Sequence, residues 1–374
     1  MTNRDRTTAA VILSRQALRP CRSCEWVCLA EEAVKWLGLQ GFGLVTSIGL
    51  QTWELLLTLA VEYRVPTTVV LPAGGAGFSV LAAWTTGQFD LADREVELVP
   101  LEDSGFGERG RPPAERRDAE VSVRADLLLP VSVRSGGGMD DLIYQAEISG
   151  RPVDRRFAVP YGNGGTTVAY ELDRSMLSDS VRRIGREYLT HWTRASNGPW
   201  PTERSVDYYR DLLRADRYPR GALATLLNIA GSGRVVASRR HMPRETPAVC
   251  FSGLSPAEVA PLVRWRARYR CMSFEPYGIG IERGYAESIG IRPVVYCEKG
   301  ASGGDTDTPF WLRQSAGSVG DWRREDEYRH REDLILADVP KDKLICFCRY
   351  RAEVPLIQKR TGIRTVPFLE GGAT

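Results

Sequence analysis

Two carboxylates, Glu325 and Glu327, stand two positions apart between Trp322 and Tyr328 in the run DWRREDEYRHRED. On an extended strand that spacing turns both side chains to one face, so both could enter one cleft. A solvated charge run is the alternative, and the flanking aromatics make full exposure less attractive. His191, in YLTHWTR, precedes Thr193 and Arg194, which mark a polar site; a structural histidine is the alternative. His241 lies in the arginine-rich RRHMPR, and His330 follows the acidic patch. FEPYGIGIERGY sets Phe274, Tyr277 and Gly278 in an aromatic-glycine strand. Cys21, Cys24 and Cys28 crowd together as C-x2-C-x3-C, a spacing able to hold an iron–sulfur cluster or zinc with a fourth ligand from elsewhere. Against a metal, Cys24 and Cys28 are one helical turn apart, and Trp26, Val27 and Leu29 make that turn look like core.

Another candidate is an anion nest. The apolar strand Leu127 to Val133 runs into Arg134-Ser135-Gly136-Gly137-Gly138, then a helical segment from Met139 to Ser149 and a second apolar strand from Phe157 to Pro160. Strand, glycine turn, helix and strand make a βαβ unit whose first free helix N–H groups can face a phosphate. A tight turn with no ligand is the alternative.

The elements around these residues fall into two patterns. Short strands at Ala9 to Ser14, Gly43 to Ile48 and Thr67 to Leu71 alternate with helices at Glu31 to Leu39, stopped by Gly41, and at Trp53 to Tyr63. Such alternation predicts a parallel sheet covered by helices. Gly74 to Gly77 reads as a turn, residues 103–118 as a mobile loop, and Gly162 to Thr167 as the start of a linker. From about Arg182 the strands are short and separated: Tyr188 to Trp192, Val235 to Ser238, Val249 to Ser252, Tyr277 to Ile281, Pro293 to Cys297 and Leu344 to Phe347. Helices at Ser205 to Arg214 and Gly221 to Ala230 interrupt them. The expected fold class is α/β: a Rossmann-like parallel-sheet domain over residues 1–172, then an α+β, mainly antiparallel domain over 173–374.

A chain of 374 residues calls for two cores. With 50 basic and 47 acidic side chains the net charge is +3, which by itself neither favours nor excludes a nucleic-acid partner. The start, MTNRDRTTAAVILSRQ, lacks a signal-peptide core, and no apolar run approaches about 18 residues. No membrane partner, a cytoplasmic location and mostly reduced thiols are expected.

Two resemblances sharpen these expectations. GFGLVTSIGLQTWELLLTLAVEYRVPTTVVLPAG and RRDAEVSVRADLLLPVSVRSGGG resemble the Rossmann-like domain of DNA-processing protein A and its SLOG superfamily relatives, over roughly Gly41 to Pro160. The resemblance implies an anion site made by Ser47, Gly49, Arg117, Ser135, Gly136 and Gly137. It also implies a ligand that is either single-stranded DNA or a nucleotide-derived small molecule. The modest charge favours the small ligand.

The second half, about Glu187 to Phe368, resembles ADP-ribosyltransferase catalytic domains and a bacterial family with the pattern H-x-T, then phenylalanine–serine, then W-x-x-E-x-E-aromatic-R. The matching positions are His191 and Thr193, Phe251 and Ser252, then Trp322, Glu325, Glu327, Tyr328 and Arg329. This implies NAD as substrate, with Thr193, Arg194 and Ser252 at its binding site. His191 would hold a ribose, Tyr277 would stack on nicotinamide, Glu327 would stabilise the ribosyl cation and Glu325 would orient the acceptor. FSGLS departs from the S-T-S of one transferase class. A nucleotide sensor joined to such an effector would suit defence against phage. The alternatives are an accessory protein for nucleic-acid processing and a cysteine-ligated metal protein.

Overall fold

A computed structural model describes residues 6–16, 19–101, 114–162, 170, 172–239, 242–266, 271–297, 308–315 and 322–371. His241, most of the 103–118 segment and most of the 162–167 segment lie outside the described residues. The chain forms two compact units, Met1–Thr166 with Asn197–Pro219, and Thr167–Ser196 with Arg220–Thr374.

The first unit alternates strand and helix. Its strands are β1 (Thr8–Leu13), β2 (Gly43–Ser47), β3 (Thr67–Leu71), β4 (Val96–Pro100) and β5 (Leu127–Ser132). Between them run α1 (Glu25–Gln40), α2 (Gln51–Tyr63), α3 (Ala76–Phe89) and α4 (Ala114–Arg124), and α5 (Gly138–Ile148) follows β5. All pair in parallel in the order β4-β3-β2-β1-β5. Helices on both faces explain why β1 is a nearly unbroken apolar run, with Ala9 to Leu13 fully buried. Helix α1 ends at Gly41, whose φ of 77° needs no Cβ.

Helix α6 (Ser205–Arg214) belongs to this first unit, although the chain reaches it only after a strand of the second. Val206, Tyr208, Tyr209, Leu212 and Leu213 lie on its buried side and join the core built on β1 and α2. The division at 172/173 therefore differs from the units found. Three local readings also change. Phe157 to Pro160 is not a strand: Val159 N–H bonds to Val131 O at 2.7 Å, but no ladder continues before Pro160. Residues 114–118 are helix rather than loop, because AERRDAEVSVR turns Arg117, Val121 and Ser122 inward. Helix α1 begins at Glu25, so Cys28 lies within it.

The second unit carries β6 (Tyr188–Trp192), β7 (Ala248–Ser252), β8 (Gly278–Glu282), β9 (Arg292–Pro293), β10 (Glu327–Arg331), β11 (Leu344–Tyr350) and β12 (Thr365–Leu369). They form one mixed, mostly antiparallel sheet in the order β9-β10-β7-β6-β8-β11-β12, with β11 and β12 parallel. One face packs under α7 (Ala222–Ser232) and α8 (Val354–Thr361) through Leu189, Phe251, Ile279, Leu226 and Ile357. The other face gathers Trp192, Phe347 and Phe368. Gly278 lies so close to Trp192 that a Cβ would sit 2.8 Å from the indole, so this strand must stay small there.

Candidate functional site

In the first unit the strand order reverses direction at β1: β2, β3 and β4 follow on one side, and β5 lies on the other. In such sheets the crevice beyond the carboxyl ends of the two central strands is the natural ligand site. Ser14 and Ser132 stitch it, with Ser14 N–H donating to Ser132 O at 3.0 Å and Gln16 Nε2 donating to the same carbonyl at 2.9 Å. The Arg134 N–H donates to Ser14 Oγ at 2.9 Å, and the side chains of Arg15, Arg134 and Ser135 are exposed at the rim. Gly137 packs closely on Arg134: a Cβ would lie 3.1 Å from Arg134 O and 3.2 Å from Arg134 Nε, so a larger residue would push on this turn by a few tenths of an ångström.

Most of the expected anion contacts are already made by the chain's own carboxylates. Gly49, at φ 81°, donates its N–H to Glu54 Oε1 at 2.9 Å. Gly136, at φ 66°, donates to Asp140 at 2.9 Å. Arg117 is buried, with Nη2 2.7 Å from Asp118 Oδ1 and Nη1 3.1 Å from Ile48 O. The hydroxyl of Ser47 is fully buried and donates to Val70 O at 2.6 Å. The expectation that Ser47, Gly49, Arg117, Ser135, Gly136 and Gly137 form one open nest is thus corrected for all but the exposed Ser135, because the Gly49 and Gly136 turns are each capped by an acid from the following helix. The side chains left exposed beside the Gly136 turn are Arg15, Arg134 and Ser135. Arg15 becomes a candidate only once the strand order is known.

Burial raises the Glu54 carboxyl above its usual range, although Gly49 N–H, Tyr209 Oη–H and Arg117 partly offset this. The Tyr209 hydroxyl donates to Glu54 Oε2 at 2.8 Å and locks α6 onto α2. Tyr209→Phe leaves that oxygen without its donor. A loss of about 1–3 kcal/mol in urea denaturation is expected.

The thiols do not form a three-ligand set. Cys21 and Cys24 face each other, but the Cys28 thiol donates to Arg22 O at 3.1 Å. Among the described residues no group of three or more His, Cys, Asp or Glu side chains is arranged to hold a metal ion. The residues do not fit the iron–sulfur or zinc reading.

In the second unit, register decides which candidates meet. Thr190 of β6 pairs with Ser252 of β7, and Ser252 pairs with Glu327 of β10. Residues opposed in antiparallel strands share a face, so Thr190, Ser252 and Glu327 line one side, joined by Cys250 and Arg329. His191 therefore points to the other side, where its ring meets Phe251 edge-on at 5.9 Å. It stands two strands from Glu327, roughly 10 Å between backbones. The expectation that His191 and Glu327 line one hollow is corrected by this alternation.

Strands β6 and β7 share that one bridge pair, and His191 Nδ1 closes the seam at 2.8 Å from Cys250 O. A carbonyl partner requires Nδ1 to carry the proton, leaving the Nε2 lone pair to accept. Burial lowers the His191 pKa, and the nearby Arg194 charge adds to it. The folded state then binds fewer protons than the unfolded state wherever a free histidine titrates. The contribution is complete above about pH 6.5 and is lost as pH falls through that value toward the folded pKa. His191→Gln should flatten the fall in unfolding free energy that denaturant titrations show between about pH 7 and 5.

Tyr277 is also corrected. It is 7% exposed, its hydroxyl donates to Glu353 Oε1 at 2.8 Å, and it packs in the core under α7, so it cannot stack on a ligand. Thr193 is buried, with Oγ1 donating to Ala222 O at 3.0 Å. Ser252 is buried as well, and Oγ donates to Glu325 O at 2.7 Å, which positions the carboxylate segment rather than a ligand.

What the fold does assemble is a carboxylate pair with guanidinium partners. Glu325 lies in a short 3-10 turn before β10, and Asp326, at φ 44°, separates it from Glu327. The extended-strand argument for a common face therefore fails, yet the two carboxylates remain electrostatic neighbours. Glu327 is gripped by Arg329, with Nε at 2.8 Å from Oε1 and Nη2 at 3.1 Å from Oε2. Arg329 is only 2% exposed and also donates to Trp311 O and Gln314 Oε1, at 2.8 and 2.6 Å. Glu325 pairs with Arg266. Burial raises its pKa, Arg266 opposes this, and Glu327 adds to it. Arg194 is exposed, reaches Met272 O at 3.3 Å, and lies within electrostatic reach of Glu325. The role of Arg329 was visible beforehand only as a motif position.

The class is thus a Rossmann-like α/β unit combined with a mixed-sheet α+β unit. No family model and no curated protein matches the chain. Among solved structures it is similar to DNA processing protein A (DprA) from Streptococcus pneumoniae, at 14% identity and TM-score 0.31, over 43% of this chain and 53% of that one. The chain thus spans about half the length of that protein. It is also similar to the Chlamydomonas rheinhardtii Moco carrier protein, at 16% identity and TM-score 0.26, over 41% of this chain and 77% of that one.

Proposed function

We propose that the second unit binds an NAD-type dinucleotide beside Glu327 at the start of β10 and Glu325 in the turn before it, and breaks its nicotinamide bond. The first unit senses a nucleotide-derived small molecule. The observation that carries the reading is the unequal carboxylate pair, Glu327 fixed by buried Arg329 beside Glu325, whose pKa is raised. Two carboxylates held in different environments take different roles.

Nicotinamide leaves with the bonding electron pair, and positive charge develops on the ribose. Glu327, already oriented, stabilises that charge without reorganising. The acceptor hydroxyl, or water, adds to the ribosyl carbon and gives its proton to Glu325. Arg266 and Arg194 supply cations for the pyrophosphate. In the first unit, Arg15 and Arg134 at the β1/β5 crevice would take an anionic ligand. Sensor and effector on one chain would suit defence against phage.

The test is release of nicotinamide from NAD by the full chain, followed by chromatography with and without candidate acceptors. Nicotinamide and ADP-ribosyl product in equal amounts are expected. Intact NAD after long incubation with a broad acceptor set, at several pH values, rejects the reading.

A further inference from the structure

The turn between β1 and α1 holds two thiols face to face. Cys21 Sγ and Cys24 Sγ are 3.9 Å apart, and the Cys24 N–H donates to Cys21 O at 3.0 Å, so the loop between them is already closed. Both are free and half-buried, open enough for a small reagent. Cys28 is occupied elsewhere, on Arg22 O. A disulfide needs its sulfurs about 2.05 Å apart, a closing that side-chain rotation and a small shift of the turn can supply.

The same turn grips the end of α6. Arg22 N–H donates to Ala215 O at 2.9 Å, Arg22 Nη1 to Leu213 O at 3.2 Å, and Ser23 Oγ to Asp216 O at 2.9 Å. These bonds come from the two residues between the cysteines, so any tightening of the pair is passed to them.

We propose that Cys21 and Cys24 are a reversible dithiol–disulfide site, oxidised by a glutathione-type disulfide, whose state alters how this turn holds α6. Cys21 attacks one sulfur of the oxidant and expels a thiol. Cys24 then attacks Cys21 Sγ and expels the second thiol. Two protein thiols lose two electrons and two protons, and the oxidant becomes two thiols. Partial burial holds the Cys24 thiol above its usual pKa, so the second step quickens as pH rises.

The experiment equilibrates the full chain with oxidised and reduced glutathione at a series of ratios, alkylates free thiols and maps the peptides. Of eight cysteines, Cys21 and Cys24 should be lost to alkylation together, linked to each other and restored by dithiothreitol. Cys28→Ser should behave the same, whereas Cys21→Ser and Cys24→Ser should form no internal link. Hydrogen exchange across 205–216 should differ between the two wild-type states. Full alkylation of both thiols at every ratio, or a link through Cys28, overturns the site. A disulfide that leaves exchange in 205–216 unchanged overturns its coupling to α6.

Discussion

If the proposed reaction holds, nicotinamide release from NAD should fall roughly 10²- to 10³-fold when Glu327 is replaced by glutamine, the range seen when a group stabilising transition-state charge is removed. Glutamine keeps an oxygen where Arg329 Nε now donates at 2.8 Å but sets an amide nitrogen where Nη2 donates at 3.1 Å, so a urea titration of the variant accompanies the rate. Substrate affinity should change little, because the ribose becomes cationic only as the bond breaks. Glu325→Gln should act differently: bond breaking to nicotinamide persists, proton removal from the acceptor slows, and the acid limb of the pH profile moves, since a general base works only when deprotonated. Single-turnover assays, with circular dichroism as a control for folding, separate these effects. Equal rates for wild type and Glu327→Gln would remove the carboxylate from the chemistry.

Arg329→Ala should destabilise the second unit by about 3–5 kcal/mol, the usual cost of removing one partner from a buried ion pair. The truncation strips Glu327 of its bidentate partner and leaves the Trp311 carbonyl and the Gln314 amide oxygen without their donor. Arg329→Lys keeps the charge but replaces a planar fork with a single ammonium. It should fall between wild type and alanine, and urea titration monitored by tryptophan fluorescence reads both. If alanine costs under about 1 kcal/mol, Arg329 is not what holds Glu327.

Local pattern is legible where the residues carry it alone. Ser205–Arg214 is readable to the residue because SVDYYRDLLR places its apolar side chains at helical spacing, and YLTHW is bounded by polar runs. Helix α3 is not readable in this way: AGFSVLAAWTTGQF is apolar on all sides and has no period to detect. The site is less legible than the fold. Glu325 and Glu327 are visible as a pair, but the left-handed Asp326 between them cannot be foreseen from their spacing. Whether His191 and Glu327 share a face depends on the Thr190–Ser252–Glu327 register, which rests on residues more than 130 positions apart. The glycine turns look like open phosphate nests until the folded helices bring Glu54 and Asp140 back onto them. The resemblance to DNA-processing protein A and its relatives points to the Rossmann-like architecture, and the strand order bears that out.

The return of residues 197–219 to the first unit means that no single cut yields two intact pieces. A fragment ending at 172 exposes the surface that Tyr208, Tyr209 and Leu212 cover and leaves Glu54 without its phenol donor. The complementary piece carries an amphipathic helix with nothing to bury it. Biochemists dividing this molecule should therefore join 1–166 to 197–219 through a short linker for one piece, and 167–196 to 220–374 for the other.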